Sequence, residues 1–134
     1  MYSYEQIVKS IHDHKTCLKP STVCDGVGIF ALRDIEKDEL IFKFVTEDIE
    51  IAVKDFQSTA HPNVKEYIDQ MCCYNKDDES YILDVPLFML YTEYYINHSD
   101  DSNIFWDRYD HEMYAMRDIK VGEELTTYYR PDER

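Results

Sequence analysis

The run Gly122-Glu123-Glu124-Leu125-Thr126-Thr127-Tyr128-Tyr129 governs how the rest of the chain is read. Its glycine marks a turn, and the β-branched and aromatic residues that follow predict a final strand over 125–129. Just upstream, Ala115-Met-Arg-Asp-Ile-Lys-Val-Gly-Glu-Glu-Leu125 echoes Ala31-Leu-Arg-Asp-Ile-Glu-Lys-Asp-Glu-Leu40. Both read as strand, charged turn, strand. Two similar hairpins at opposite ends of the chain predict a β-rich core of short sheets. They are too few and too far apart for a solenoid.

Working outward from these hairpins, 27–32 and 39–45 read as strands joined by the turn Arg33–Asp38, and further strands are expected at 81–85, 104–106 and 112–117. A helix is expected over 3–12, where Ser3 and Gln6 have capping-box spacing and Tyr4, Ile7, Val8 and Ile11 share a face. A second follows Pro62 over 63–71, with Val64, Tyr67, Ile68 and Met71 as its stripe. A third is expected over 86–95, with proline at its start and Leu87, Leu90, Tyr91 and Tyr94 on one side. Residues 15–26 and 97–103 read as loops, 75–80 as an acidic loop, and 46–60 stays ambiguous. Strand pairs at the ends with helices between them define an α+β chain, mainly β.

A length of 134 residues bounds this to one domain, and 44% apolar residues argue against disorder. The net charge of −14 disfavours direct contact with nucleic-acid phosphates and favours a cationic partner, although solubility alone accounts for it equally well. Twelve tyrosines suit walls that must be apolar and hydrogen-bonding at once; most of them are expected simply to pack. Cys17, Cys24, Cys72 and Cys73 have neither paired zinc-site spacing nor a disulfide framework, so no metal is expected. No apolar run is long enough to span a bilayer and no signal peptide is visible, so an intracellular protein without membrane contact is expected, nuclear or cytoplasmic.

Three segments, in this order, resemble the SET domain: Gly26-Val27-Gly28-Ile29-Phe30-Ala31 with the Arg33-Asp34-Ile35 hairpin; Asn97-His98-Ser99 with Asn103 after it; and the closing Gly-Glu-Glu-Leu-Thr-Thr-Tyr-Tyr. A Gly-x-Gly alone is a common turn, and Asn and Ser alone are common loop residues. The ordered trio is what carries the resemblance, over about residues 20–130. It implies the SET-type (β-clip) fold, several small sheets with a knot-like crossing near the Asn-His loop, a threading that general topology disfavours. It implies one SET domain over 1–134: an N-terminal helix and lead-in (1–19), an N-terminal SET segment (20–46), a variable insert (47–93) and a C-terminal SET segment (94–130).

The same resemblance implies methylation of lysine on a basic protein or peptide, a histone being the usual class, with S-adenosyl-L-methionine as cofactor. Asp25, Gly26, Val27 and Gly28 would contact the cofactor, since glycine lets backbone approach a ligand closely. Tyr95, Asn97 and His98 would join them, with amide and imidazole toward the adenine and amino-acid ends. Tyr129 matches the family's catalytic tyrosine and would orient both the sulfonium methyl and the incoming amine; a phenol titrates near about 10, so it acts without ionising. Phe44, Trp106 and Tyr128 would line the lysine channel, with core or cross-strand packing as the competing account of each. Tyr128 is expected on the face opposite Tyr129, and Glu47 is a candidate acidic position. Glu123 and Glu124 read as turn and surface charges.

The sequence departs from the family pattern at Ser102, where proline is usual, at Tyr94-Tyr95 and at Lys43-Phe44. These departures keep open a non-catalytic SET-like module that binds basic tails. The sequence also stops five residues after Tyr129 without a Cys-rich tail. Closure of the channel is therefore expected from the insert, the N-terminal helix or a second subunit, and a homodimer is allowed.

Overall fold

The computed structural model describes residues 1–43, 49–83, 85–107 and 110–129. Phe44 and Glu47 lie outside the described residues. In chain order the elements are helix α1 (Tyr4–Asp13), strands β1 (Thr16–Pro20), β2 (Val27–Ala31), β3 (Leu40–Lys43) and β4 (Ile49–Ala52), helix α2 (Pro62–Met71), and strands β5 (Cys73–Asn75), β6 (Ser80–Leu83), β7 (Asn97–His98), β8 (Ile104–Asp107), β9 (Glu112–Ala115) and β10 (Glu124–Thr127). Short 3-10 turns occupy Val53–Asp55, Leu87–Met89 and Thr92–Tyr95. The chain is α+β, mainly β, in small curled sheets.

The strand order is β1-β2-β10-β8-β9-β3, with β7 pairing to β10 from the side. β10 therefore has unusual company. It runs antiparallel to β2, with Leu125 opposite Ile29. It runs parallel to β7, with Thr126 opposite Asn97 and Thr127 opposite His98, and parallel to β8 at Thr127 and Ile104. The loop joining β7 to β8 is hydrogen-bonded to the same strand: Ser99 N–H donates to Thr127 at 3.0 Å and Asn103 N–H to Thr126 at 3.1 Å. Asn103 adds a side-chain clamp, donating to the Glu124 carbonyl at 2.8 Å and accepting Thr126 N–H at 2.9 Å. The 97–104 segment thus embraces the last described strand, as the crossing that the resemblance implies requires.

The two echoing hairpins meet as a pair. Ile35 and Ile119 exchange backbone hydrogen bonds at 2.7 and 2.8 Å. Asp34 accepts Val121 N–H and Asp118 accepts Lys37 N–H, both at 2.8 Å. Gly122 N–H donates to Ala31 and Asp38 N–H to Ala115, again both at 2.8 Å. Asp38 and Gly122 occupy matching turn positions with φ of 69° and 89°. Asp tolerates this left-handed region better than most side chains, and glycine adopts it freely. The hairpins enclose the core of Ile29, Ala31, Ile35, Ile96, Ile104, Met113, Ala115, Ile119 and Leu125. Each large aliphatic side chain buried there stabilises the fold by about 1.5–3 kcal/mol.

Three local expectations are corrected. Residues 16–20 form a strand rather than loop, paired from Thr16 with Ala31 to Pro20 with Val27; β1 is an edge strand, where proline is tolerated. Residues 86–95 are two 3-10 turns and not an α-helix, because Leu90 and Tyr91 between them are extended, with ψ of 129° and 156°. The aromatic residues there lose side-chain freedom in a helix and give little propensity to oppose that break. The last strand ends at Thr127, so Tyr128 and Tyr129 follow it rather than belong to it.

The α1 capping box forms as read, with Ser3 and Gln6 bonded reciprocally. The 49–83 part of the insert makes its own sheet, β4-β6-β5, beside α2. Tyr81 donates to Asp69 at 2.7 Å, tying that sheet to the helix, and burial together with the Asp69 carboxylate pushes the phenol up to about 12. Among the described residues, no helix is long and apolar enough to cross a membrane.

Candidate active site

The Gly-x-Gly segment enters β2 beside the Asn-His segment of β7, with β10 behind both. Gly28 is buried, and a Cβ placed there would lie 2.8 Å from Glu124 Cδ and 3.1 Å from Asn97 Nδ2. Only a bare Cα lets these three segments close on one another. Asn97 Nδ2 donates to the Val27 carbonyl at 2.9 Å, to Glu124 at 3.1 Å and to Ser21 Oγ at 3.2 Å. Ahead of it, the turn from Cys24 to Val27 is exposed. Gly26 anchors that turn by accepting Ser21 N–H at 2.8 Å. The side chain of Asp25 makes no hydrogen bond among the described residues.

Glu124 is the residue that sequence reading misplaced. It is 9% exposed and sits in the middle of this cluster. Its carboxylate accepts Thr22 N–H at 2.6 Å, the Thr22 hydroxyl at 2.9 Å, the Ser21 hydroxyl at 2.9 and 3.0 Å, and the Asn97 amide. Burial works to raise its pKa, but these hydrogen bonds to the charged form outweigh burial and hold the carboxyl below the usual range. Glu124 opens the final strand, all four residues of which are buried, one position before the start expected from sequence. Glu123, by contrast, is the turn charge expected, paired to Arg117 at 3.0 Å and to Lys120 N–H at 3.1 Å.

The other half of the site is built on His98. Its Nδ1 accepts Tyr129 N–H at 2.9 Å, and its Nε2 lies 2.9 Å from Asp100. An Nδ1 that accepts a backbone N–H is unprotonated, which leaves Nε2 as the donor toward Asp100. Tyr129 then folds back so that its hydroxyl donates to the Ile96 carbonyl, immediately before Asn97. The rings of Tyr128 and Tyr129 both flank the imidazole, with centroids 5.1 and 5.7 Å away. The expected opposition of Tyr128 and Tyr129 does not hold, because neither is in a strand.

Tyr95 packs against the core beside this site, its hydroxyl 3.4 Å from that of Tyr67 on α2. That hydrogen bond, with burial, raises the Tyr67 phenol above its ordinary value. Trp106 is half-buried against the same core cluster, opposite Met113 in the β8–β9 pair. The structure therefore brings together Val27, Gly28, Asn97, His98 and Tyr129, adds Glu124, Ser21 and Thr22, and sets Tyr128 at the edge. Trp106 packs against the core cluster, as Tyr95 and Tyr129 do, and Asp25 stands out on the turn.

A mainly β chain whose last strand is held by an Asn-His loop, with a tyrosine folded back on that loop, has the architecture of a SET-type protein. The SET domain family model matches residues 26–130, and the chain belongs to that family. Among curated proteins, none matches the chain in sequence. Among solved structures, the chain is similar to a Plasmodium falciparum protein provisionally assigned as a histone methyltransferase, at 21% identity and a TM-score of 0.53, over 88% of this chain and 95% of that one. It is also similar to a humanized mutant of the Chaetomium thermophilum Polycomb Repressive Complex 2 bound to an inhibitor, at 26% identity and a TM-score of 0.60, over 90% of this chain and 15% of that one. The same complex in an autoinhibited conformation bound to S-adenosylmethionine matches at 25% identity and a TM-score of 0.59, over 96% of this chain and 17% of that one. The chain thus spans about a sixth of the Polycomb chains it resembles.

Proposed function

We propose that this protein methylates lysine side chains of a basic protein, with S-adenosylmethionine as the methyl donor. The observation that carries the reading is the linked set running from Gly28 through Asn97 and His98 to Tyr129, whose hydroxyl returns to Ile96. The residues suit this cofactor. None of the side chains in the set is cationic, the Asn97 oxygen has no internal partner among the described residues, and aromatic faces flank His98, as a cationic sulfonium ligand needs. The exposed backbone of Asp25–Val27 and the Asn97 and His98 side chains would hold it.

When bound, S-adenosylmethionine would supply an electrophilic methyl group to a lysine amine that has first lost its proton to solvent. The chain's part is alignment and electrostatic preparation. Tyr129, held at both its backbone N–H and its hydroxyl, orients the amine with its phenolic oxygen. Tyr128 and the Tyr95–Tyr67 pair contribute apolar walls with polar tips. The acid surface concentrates a basic substrate such as a histone tail, through a net charge of −14.

The test is radiolabelled methyl transfer to histones and to total lysate protein, with lysine assigned by mass spectrometry. Label on lysine supports the reading, and absence of transfer by protein that binds the cofactor sinks it. Peptide binding that needs no cofactor, together with failure to bind S-adenosylmethionine, would instead support a non-catalytic module for basic tails.

A further inference from the structure

Asn97 is held from behind. Its side-chain nitrogen donates to Val27, Ser21 and Glu124, while its oxygen has no hydrogen bond among the described residues. The nitrogen is turned inward because a carboxylate can only accept. Glu124 in turn is fixed from its other side, where Thr22 N–H and the Thr22 hydroxyl reach one oxygen and Ser21 reaches both. None of these partners is charged, so the buried carboxylate keeps its negative field directed through Asn97.

We propose that Glu124 is a positioning residue for the cofactor: it locks the Asn97 amide so that Oδ1 is the atom offered to the ammonium of the aminoacyl end. The inference rests on the cofactor reading given above. An ammonium brings three donors and no acceptor, and it meets an oxygen backed by a carboxylate one hydrogen bond away. The neutral amino group of adenine would gain much less from that charge. A carboxamide at position 124 cannot serve the same purpose. Its oxygen is claimed by the Thr22 backbone N–H, which cannot turn away, so its NH2 faces the Asn97 NH2. Asn97 cannot answer by flipping, because its oxygen would then face the Val27 carbonyl, so the clash displaces the amide and Oδ1 leaves the position offered to the ligand.

The experiment is calorimetry on the full chain with two ligands. S-adenosylhomocysteine carries the aminoacyl end, whereas 5′-methylthioadenosine keeps the adenosine and thioether without it. Glu124→Gln is expected to bind S-adenosylhomocysteine on the order of tenfold more weakly, the loss of one charge-assisted hydrogen bond, with methylthioadenosine binding unchanged. If the wild type fails to bind S-adenosylhomocysteine, the cofactor reading falls and this inference with it. If the wild type binds and E124Q binds equally well, or loses both ligands in the same proportion, the positioning role alone is overturned. Should E124Q fail to fold, NMR of the wild type decides: the Asn97 side-chain amide protons are expected to exchange slowly with solvent, both free and with S-adenosylhomocysteine bound. Fast exchange, or an amide that shifts its bonds to the ligand, overturns the proposal.

Discussion

His98 and Tyr129 hold each other at two points: the imidazole Nδ1 accepts the tyrosine backbone N–H at 2.9 Å, and the two rings lie 5.7 Å apart. Because that hydrogen bond uses the main chain, it survives any change at position 129 that keeps the backbone N–H. The phenolic hydroxyl can therefore be removed without dislodging the segment that carries it.

Tyr129→Phe follows from this. Stability is expected to fall by about 1 kcal/mol, the typical net loss of a hydrogen bond such as the one to the Ile96 carbonyl. Methyl transfer is expected to fall on the order of a hundredfold, the usual cost of removing one prepared polar group from a reacting centre. Single-turnover transfer measured beside thermal melting separates the two effects. Transfer that falls only as far as the folded fraction does would show that the hydroxyl has no part in the reaction.

The paired hairpins make a separate prediction. Asp34 and Asp118 each accept one backbone N–H from the opposite hairpin at 2.8 Å, on either side of the Ile35–Ile119 bridge. Asp34→Ala and Asp118→Ala are expected to cost similar amounts, about 1–2 kcal/mol each. Because both brace one bridge, the double variant is expected to cost less than the two singles together. Strict additivity in urea unfolding would mean the two turns are independent.

This pairing also shows what the sequence could reveal. The repeated Arg-Asp-Ile turn was visible in the letters, and so were the flanking strands, because short-range alternation and turn residues determine them. That the two turns grip one another was not visible, since it is a long-range contact between segments at opposite ends of the chain. The Gly-x-Gly, Asn-His and Tyr129 positions were legible as motifs. Glu124 was not: a glutamate beside another glutamate after a glycine has the local chemistry of a surface turn, and only the company of Ser21, Thr22 and Asn97 makes it a buried acceptor. The broken 86–95 segment was misread for a related reason. Its apolar spacing suits a helix, but the backbone is extended at Leu90 and Tyr91, and apolar spacing alone does not reveal such a break.

Two of the glycines should fail differently. At Gly28 a methyl group meets Glu124 and Asn97, so the carboxylate must leave the Ser21 and Thr22 donors that fix it. Gly28→Ala is expected to cost about 1–3 kcal/mol, as overpacking does, and to weaken binding of S-adenosylhomocysteine. At Gly122 a methyl group meets nothing within 4 Å, yet φ is +89°. Gly122→Ala is expected to cost about 1–2 kcal/mol through backbone strain alone, with ligand affinity intact in the folded fraction. Equal effects of the two substitutions on affinity would contradict the close packing around Gly28.

Acid should find the same cluster. Glu124 and Glu39 both titrate below their ordinary value of 4.5, Glu124 because its hydrogen bonds outweigh burial, Glu39 chiefly through its hydrogen bond with Lys15 at 2.7 Å. A carboxyl depressed in the folded state binds fewer protons than the same group unfolded, so stability rises with pH across the interval between the two values. Their contribution is therefore complete above 4.5 and is lost as pH falls through the lower, folded values. Urea midpoints measured from neutral pH downward are expected to hold steady for these two groups and then drop below that point. Glu124→Gln should be less stable than wild type at neutral pH but show a shallower acid decline, because its carboxamide cannot be protonated in this range. Lys15→Met should shrink the Glu39 share of the slope, leaving what the Glu36 N–H and Arg33 contribute, and keep the Glu124 share in place. An acid slope unchanged by E124Q would mean that the Glu124 carboxylate is solvated rather than held by Ser21, Thr22 and Asn97.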